Sequence, residues 1–315
     1  MSQRSDATAP QTDQHRTRRL LVPFDGSARS ERALRYACGA FPGDDIVALH
    51  ALTRDDDETA ARGWVDSSEQ FAEWAATRRE HAERAVFASA RRIADDYDRS
   101  VATELAVGAP ARAVVDYWNS HDVDFLVLDV EGRGLRRVLD FLTGDVSERL
   151  ARTPTIPAVL VRADVDLPTE ARSEETRRRV LVPFDESARS RNALAFACST
   201  FPDADVTVLC MAVVWGSDRS VLLDRTDARD ERMTELATTA DRIAAERDVA
   251  VDTAFGYGAL DQATLQYLDE GPVDLVVAGT RGKAALSELV LPSAAERLVR
   301  NCPVPLAVVP TLQRP

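Results

Sequence analysis

The chain carries one segment twice, and this repeat constrains its fold more than any other feature. The first copy, residues 20–42, reads LLVPFDGSARSERALRYACGAFP. The second, residues 180–202, reads VLVPFDESARSRNALAFACSTFP without a gap, and 15 of the 23 aligned positions are identical. Each copy joins a short apolar run to a segment of helical spacing, which predicts a β-strand followed by an α-helix. Inside the shared turn the only change is Gly26, which becomes Glu186.

The repeat continues along the rest of the chain. Residues 123–127 match 273–277 at an offset of 150, and residues 148–150 match 296–298 at an offset of 148. Matched segments in a fixed order, with spacing that shrinks from 160 to 148, indicate two diverged copies of one domain. A chain of 315 residues is long enough for two domains. We predict a disordered polar tail at 1–17, a first domain at 18–162, a linker at 163–177 and a second domain at 178–312.

Strand-like and helix-like segments alternate in each copy, which predicts two doubly wound α/β domains with parallel sheets. The expected strands of the first copy are 20–24, 46–52, 101–107, 125–130 and 158–162. Those of the second copy lie near 179–184, 205–214, 249–255, 274–278 and 305–309. In such sheets ligands bind beyond the carboxyl ends of the strands, where the strand order reverses. Candidate site residues are therefore those that follow the first, second and fourth strands.

An aspartate follows the first strand in both copies, as Asp25 and as Asp185. A carboxylate at this edge can accept hydrogen bonds from a ribose hydroxyl or an adenine amine. Its alternative role is to cap the next helix. Ser27 and Ser187 can do the capping instead, so both roles of the aspartates stay open at this point.

Glycines follow the fourth strand of the second copy, which reads AGTRGKAALSELVLPSAAERL over residues 278–298. Gly279 and Gly282 frame a short turn, and glycine lets backbone amides approach phosphate oxygens closely. Ser293 precedes a predicted helix, whose start favours an anion. Arg281 and Lys283, the only lysine of the chain, add positive charge to the same loop.

The opening VPFDxS, the closing G-x2-G-x9-G-[ST] with its following ER(L), and a final P-V-P strand resemble the universal stress protein family, here in tandem. The resemblance covers nearly the whole chain outside the tail and linker. It implies a flavodoxin-like sheet with strand order 3-2-1-4-5, pairing of two such domains, and ATP binding in some members. In the second copy it implies nucleotide contacts at Asp185, Gly279, Arg281, Gly282, Ser293 and Ala294. Pro292 stands where the third glycine is expected, and it lacks the amide proton that a phosphate would use.

The first copy departs further from the family motif. Its loop, residues 131–145, reads EGRGLRRVLDFLTGD, in which Gly134 and Gly144 match the second and third glycines. Glu131 takes the place of the first glycine, and Asp145 that of the hydroxyl residue. A carboxylate within about 4–5 Å of a phosphate costs about 1 kcal/mol or more. Together with Asp25, these residues make the first copy the less favourable nucleotide site.

Composition excludes several kinds of partner. The net charge is −13, and 38 of the 39 basic residues are arginine. No basic field covers such a surface, so we expect no nucleic acid and no membrane as partner. Acid excess with a single lysine is typical of a protein from a halophile; a GC-rich genome that favours arginine codons is the alternative explanation. The four cysteines form no CxxC pair, which predicts buried thiols, no metal site and a reducing cytoplasm.

Three functions are compatible with these features. The first is a cytoplasmic stress-response module without a catalytic centre, which binds ATP in its second domain and Mg²⁺ only together with ATP. The second is a slow ATPase or adenylate-handling enzyme. The third is an interaction protein in which both pockets are vestigial. We expect the two domains to pack as an internal pseudo-dimer through the final strands, 158–162 and 306–310, and a homodimer of chains stays open.

Overall fold

The computed structural model describes residues 17–53, 68–130, 156–162, 165, 167, 177–212, 226–280 and 294–311. Ten strands in these ranges form one sheet. The first half contributes β1 (Arg19–Pro23), β2 (Asp45–Leu52), β3 (Ala102–Val107), β4 (Phe125–Val130) and β5 (Ala158–Arg162). The second half contributes β6 (Arg179–Phe184), β7 (Asp205–Ala212), β8 (Val251–Tyr257), β9 (Leu275–Thr280) and β10 (Leu306–Pro310).

The described helices cover both faces of this sheet. One face is packed by α1 (Ala28–Ala40), a π-helical turn (Ala82–Phe87), α3 (Ala88–Asp95), α5 (Ala188–Thr200) and α6 (Thr226–Ala245). The π-helical turn continues α2 (Ser68–His81) into α3. The other face is packed by α4 (Pro110–Ser120), α7 (Leu260–Glu270) and α8 (Ala294–Asn301). With both faces covered, β1 and β6 are almost wholly apolar, as buried parallel strands require.

The strand order is β3-β2-β1-β4-β5-β10-β9-β6-β7-β8. Each half therefore has the predicted order 3-2-1-4-5, and its strands pair in parallel. The order reverses between β1 and β4, and between β6 and β9. Several predicted strand boundaries were wrong by one or two residues; β8, for example, is Val251–Tyr257 and not 249–255. Nearly all of the predicted tail and most of the predicted linker lie outside the described residues.

The two halves join through their last strands. β5 pairs with β10 in antiparallel fashion, with Leu160 opposite Leu306 and Ala158 opposite Val308. The predicted pairing of the final strands is therefore present. It makes one continuous sheet, and the core on each face contains residues of both halves.

Equivalent residues of the two halves meet at a seam beside this strand pair. The rings of Phe41 and Phe201, which are 160 positions apart, stack with their centroids 6.2 Å apart. The Arg178 guanidinium lies 4.3 Å from the centroid of Phe41, and its counterpart Arg18 lies 5.4 Å from that of Phe201. Arg178 also donates a hydrogen bond to the carbonyl of Ala40, at the end of α1. This reciprocal pattern is that of a two-fold interface built inside one chain.

Candidate functional site

The candidate sites begin at the turns that follow β1 and β6. Ser27 and Ser187 are the N-caps of α1 and α5, because their hydroxyls accept hydrogen bonds from the amides of Ser30 and Ser190. The capping role that sequence left open thus belongs to the serines. The aspartates one residue beyond Phe24 and Phe184 do not cap the helices.

Asp25 instead stabilises the turn through hydrogen bonds to one of its carboxylate oxygens. Its Oδ1 accepts from the Ser27 amide at 2.9 Å and from the Ser30 hydroxyl at 2.7 Å. Burial alone would raise the pKa of Asp25, but these hydrogen bonds outweigh it and hold the pKa below its ordinary value. Its Oδ2 makes no hydrogen bond to any described residue. An ionised carboxylate with one oxygen available can accept a hydrogen bond from a ligand.

Asp185 repeats this arrangement in the second half. Its Oδ1 accepts from the Ser187 amide at 3.0 Å. Burial would raise the pKa of Asp185, and hydrogen bonds from Ser187 and Ser190 lower it below the ordinary value. Both halves therefore present an ionised aspartate at the carboxyl edge of their first strand.

The residue after each aspartate has left-handed backbone geometry. Gly26 has φ 77°, and Glu186 has φ 65° at the equivalent position. A side chain in this region strains the backbone, and glycine avoids the strain. The Glu186 carboxylate accepts from Arg191 at 2.6 Å and lies 2.7 Å from Arg232 of α6. Burial alone would raise the pKa of Glu186, but Arg232 and Arg191 lower it below the ordinary value. In the second half, an ion pair between Glu186 and Arg232 thus connects this turn to α6.

Replacement of Glu186 tests this view of the turn. We expect Glu186→Gly to be more stable than Glu186→Ala by about 1 kcal/mol, because both lose the ion pairs but only alanine keeps the left-handed strain. The ion pairs are partly exposed and contribute at most about 1 kcal/mol. Urea unfolding followed by circular dichroism measures the difference. Gly26→Ala is the matched control, and it should lower the free energy of unfolding by a similar amount, about 1 kcal/mol. Equal stability of the two Glu186 variants would contradict this account.

A cleft of about 240 Å³ lies beyond the carboxyl ends of β1, β2 and β4 in the first half. Its position is the one predicted from the reversal of strand order. Asp25, Ser27 and Arg29 line it from the turn and the start of α1. His50 and Asp129 line it from the ends of β2 and β4.

His50 is a polar group of this cleft with a defined tautomer. Its Nδ1 lies 2.8 Å from the carbonyl oxygen of Phe24. Because a carbonyl can only accept, Nδ1 carries the proton, and in the neutral ring Nε2 is an acceptor. The strand registers place Cys210 at the equivalent position of the second half, so that half has no imidazole there.

Asp129 and Arg32 are site residues that the sequence analysis missed. The side chain of Asp129 is 2% exposed, and its Oδ2 lies 2.9 Å from Nε of Arg32 on α1. Strand pairing makes Phe125 of the first half equivalent to Leu275 of the second half. Asp129 is therefore the counterpart of Gly279. The match of Glu131 to the first glycine was therefore wrong, because it followed glycine spacing and not strand register. The offset of 150 found for residues 123–127 was the signal that would have identified Asp129.

Gly279 lies where the start of α5 approaches β9. A Cβ built on Gly279 would be 2.5 Å from the carbonyl carbon of Arg189 and 2.9 Å from its Cβ, closer than real Cβ contacts. Packing against α5 is thus a sufficient reason for glycine at this position. Asp129, with its larger side chain, requires more space between α1 and β4 in the first half.

The other predicted contacts of the second half are only partly described. Ala294 is the first residue of α8, which is held by Arg297 through two hydrogen bonds to Asp261, at 2.6 and 2.8 Å. Hydrogen bonds from Arg297 lower the pKa of Asp261 below its ordinary value. The remaining predicted contacts lie outside the described residues, namely Arg281, Gly282 and Ser293 of the second half and Gly134 and Gly144 of the first.

All four cysteines are buried in the core, as predicted. Burial raises the pKa of Cys38, Cys210 and Cys302 to about 11, so these thiols are protonated at neutral pH. Across the described ranges, we find no group of three His, Cys, Asp or Glu side chains arranged to hold a metal ion. No helix in the part of the chain described above is long and apolar enough to cross a membrane.

The fold and the two aspartate turns define a tandem α/β protein of the doubly wound class. The chain matches the Universal stress protein family over residues 16–162 and 176–310, and it belongs to this family. The structure of a universal stress protein from Archaeoglobus fulgidus DSM 4304 is similar to the structure of this chain, with a TM-score of 0.63. It is 16% identical and covers 94% of this chain and 100% of its own, so the likeness concerns the fold.

Two proteins with related sequences carry the same family name. A universal stress protein A family protein of Schizosaccharomyces pombe is 24% identical over 180 residues, which are 55% of this chain and 55% of that protein. A universal stress protein of Methanocaldococcus jannaschii is 26% identical over 142 residues, which are 43% of this chain and 84% of that protein. The chain therefore spans about half the length of the yeast relative.

Proposed function

We propose that this chain is a cytoplasmic regulatory module that binds an adenine nucleotide such as ATP in its second domain and lacks a catalytic centre. The domains would be residues 18–162 and 178–312, as the repeat predicts. The observation that carries the proposal is the difference in charge at the end of the fourth strand, one residue before its last residue. The second half has Gly279 there, and the first half has the carboxylate of Asp129.

The second domain combines groups suited to both parts of a nucleotide. Asp185 is ionised at the carboxyl edge of β6 and would accept a hydrogen bond from the ribose or the base. Arg281 and Lys283 follow β9 in sequence and would supply positive charge to the phosphates. Ser293 directly precedes α8, whose amino-terminal dipole favours an anion. Mg²⁺ would accompany ATP through the phosphates.

Equilibrium dialysis with labelled ATP tests the proposal. We expect saturable binding to the full chain, at least tenfold weaker in Asp185→Asn, because a hydrogen bond to a charged group contributes about 1.5–3 kcal/mol. Asp25→Asn is the matched control from the first domain and should change ATP affinity less than twofold. Ser293→Asp should abolish binding through repulsion of the phosphates. The titration is run with and without Mg²⁺, and in low and molar potassium chloride, because the acidic, lysine-poor composition predicts a high-salt cytoplasm.

Other results would favour the alternative functions. Absence of ATP binding under all these conditions would contradict the proposal and favour an interaction protein with vestigial pockets. Steady ATP hydrolysis that Asp185→Asn abolishes would favour the enzyme. Binding that Asp25→Asn abolishes and Asp185→Asn leaves unchanged would show that the wrong domain was chosen.

A further inference from the structure

The cleft of the first half differs in chemistry from the corresponding edge of the second half. The differences concern the residue at the end of the fourth strand, its partner on the first helix, and the end of the second strand. In the first half these residues are Asp129, Arg32 and His50, and in the second half Gly279, Asn192 and Cys210. The acid and its arginine occur together in one half, and both are absent from the equivalent positions of the other. This pairing suggests a cleft with its own ligand.

The ion pair makes this cleft unsuitable for phosphate. The carboxylate of Asp129 lines the cleft and is nearly fully buried, so its field is poorly screened by solvent. Arg32, the cation beside it, is engaged by that carboxylate at 2.9 Å. A phosphate in this cleft would therefore meet a buried negative charge whose arginine is already paired, and a ligand without phosphate would avoid the repulsion.

The lining also contains Arg29, Ser27 and Ser30, and two of its other polar groups are acceptors that suit a ligand that donates hydrogen bonds. Oδ2 of Asp25 is an acceptor on an ionised carboxylate, and Nε2 of His50 is an acceptor in the neutral ring. Sugar hydroxyls and the exocyclic amine of a base are donors that match these two atoms. A phosphate that carries no proton offers them none.

Size and apolar lining point to a small, flat molecule. The cleft volume, about 240 Å³, is below the roughly 300–1,000 Å³ of pockets for drug-sized ligands. Apolar side chains complete the lining between the two acceptors, including Leu49, Val114 and Leu128. An aromatic base would pack on these side chains, and its sugar would reach the aspartate.

We propose that the first-half cleft binds an uncharged nucleoside, and that the Arg32–Asp129 ion pair excludes its phosphorylated form. The choice of a nucleoside rests on the proposed function, in which the same fold binds an adenine nucleotide in the other domain. The chain thus holds two sites of opposite phosphate preference, so one protein can compare a nucleotide with its dephosphorylated product. The first-half site is assigned by its acceptors, its ion pair and its size.

Calorimetric titration of the full chain with adenosine and with AMP tests this proposal, since the probes differ only by the phosphate. To isolate the first-half site, both titrations use Asp185→Asn as the background. We expect adenosine to bind at least tenfold more tightly than AMP, and Asp25→Asn in this background to weaken adenosine binding at least tenfold. Asp129→Asn leaves Arg32 charged and should raise AMP affinity roughly tenfold, with little change for adenosine.

A double variant gives the sharpest comparison. Arg32→Asn with Asp129→Gly installs the pair of residues found in the second half, and should bring the affinities of AMP and adenosine within about threefold of each other. Circular dichroism establishes that each variant is folded, and the isosteric Asp129→Asn keeps the test valid if the double variant does not fold.

The outcomes separate this inference from the proposed function. Equal binding of AMP and adenosine in the Asp185→Asn background would overturn the inference, and so would absence of adenosine binding. Either result leaves the proposed function intact if wild-type chain binds ATP in an Asp185-dependent manner. If ATP does not bind and adenosine binds in an Asp25-dependent manner, the proposed function fails and the first-half site stands.

Discussion

Replacing Phe41 with alanine should lower the free energy of unfolding by about 4 kcal/mol. Phe41 is 1% exposed and contacts the rings of Phe125 and Phe201, with centroids 5.2 and 6.2 Å away. Truncation leaves a cavity at the seam between the halves and removes the ring over which Arg178 lies. Urea unfolding followed by circular dichroism measures the loss, and we expect a single transition because the two halves share one core.

The contact between Phe41 and Phe201 predicts that substitutions of these two residues are not independent. Phe201→Ala is the symmetry-related variant and should destabilise the protein by a similar amount. Because the two rings are in contact, the double variant should cost clearly less than the two single losses together. Additive losses, or two separate transitions of which Phe41→Ala shifts only one, would contradict a shared core between the halves.

The fold could be predicted from sequence because the repeat and the apolar runs report local structure. Leu20–Val22 and Phe125–Val127 are fully buried at 0% exposure, and apolar runs of this kind are recognisable without knowledge of the neighbours. The order of strands followed from the family resemblance, and the structure has it. The seam could not be predicted in the same way. Arg178 meets Phe41 only because β5 and β10 run antiparallel, and no local pattern encodes that orientation.

The candidate site was predictable in part. Asp25 and Asp185 were found because they follow an apolar strand, and Ser27 and Ser187 because capping serines precede helices. Their division of roles needed the hydrogen bonds themselves.

The ion pair of Arg32 and Asp129 was missed for a different physical reason. Its members lie 97 positions apart, on a helix and at the end of a strand. Alignment by glycine spacing placed Glu131 in the motif, whereas register within the sheet aligns Asp129 with Gly279. Loops change length between copies more readily than buried strands change register, so strand register is the safer guide to equivalent site residues.

Replacing Gly279 with alanine should lower the free energy of unfolding by about 3 kcal/mol. The added methyl group would press on the backbone of Arg189, which belongs to the first turn of α5 and cannot move as a flexible side chain would. The helix start must shift away from β9, and the turn that holds Asp185 would shift with it. Urea unfolding measures the stability of the variant, and ATP dialysis measures the effect on the turn.

Gly271→Ala is the matched control in the same half. A Cβ at Gly271 meets no atom within 4 Å, so this variant should change stability by less than about 1 kcal/mol. If Gly279→Ala proves equally mild, α5 has room to move, and the close approach of Arg189 does not explain the glycine.

A stable Gly279→Ala protein that no longer binds ATP would then assign this glycine to the ligand. A loss of stability with ATP binding kept in the folded fraction would assign it to helix packing alone. The two measurements together therefore decide whether helix packing or ligand binding selects glycine at the end of β9, where β4 of the first half carries an ion-paired aspartate.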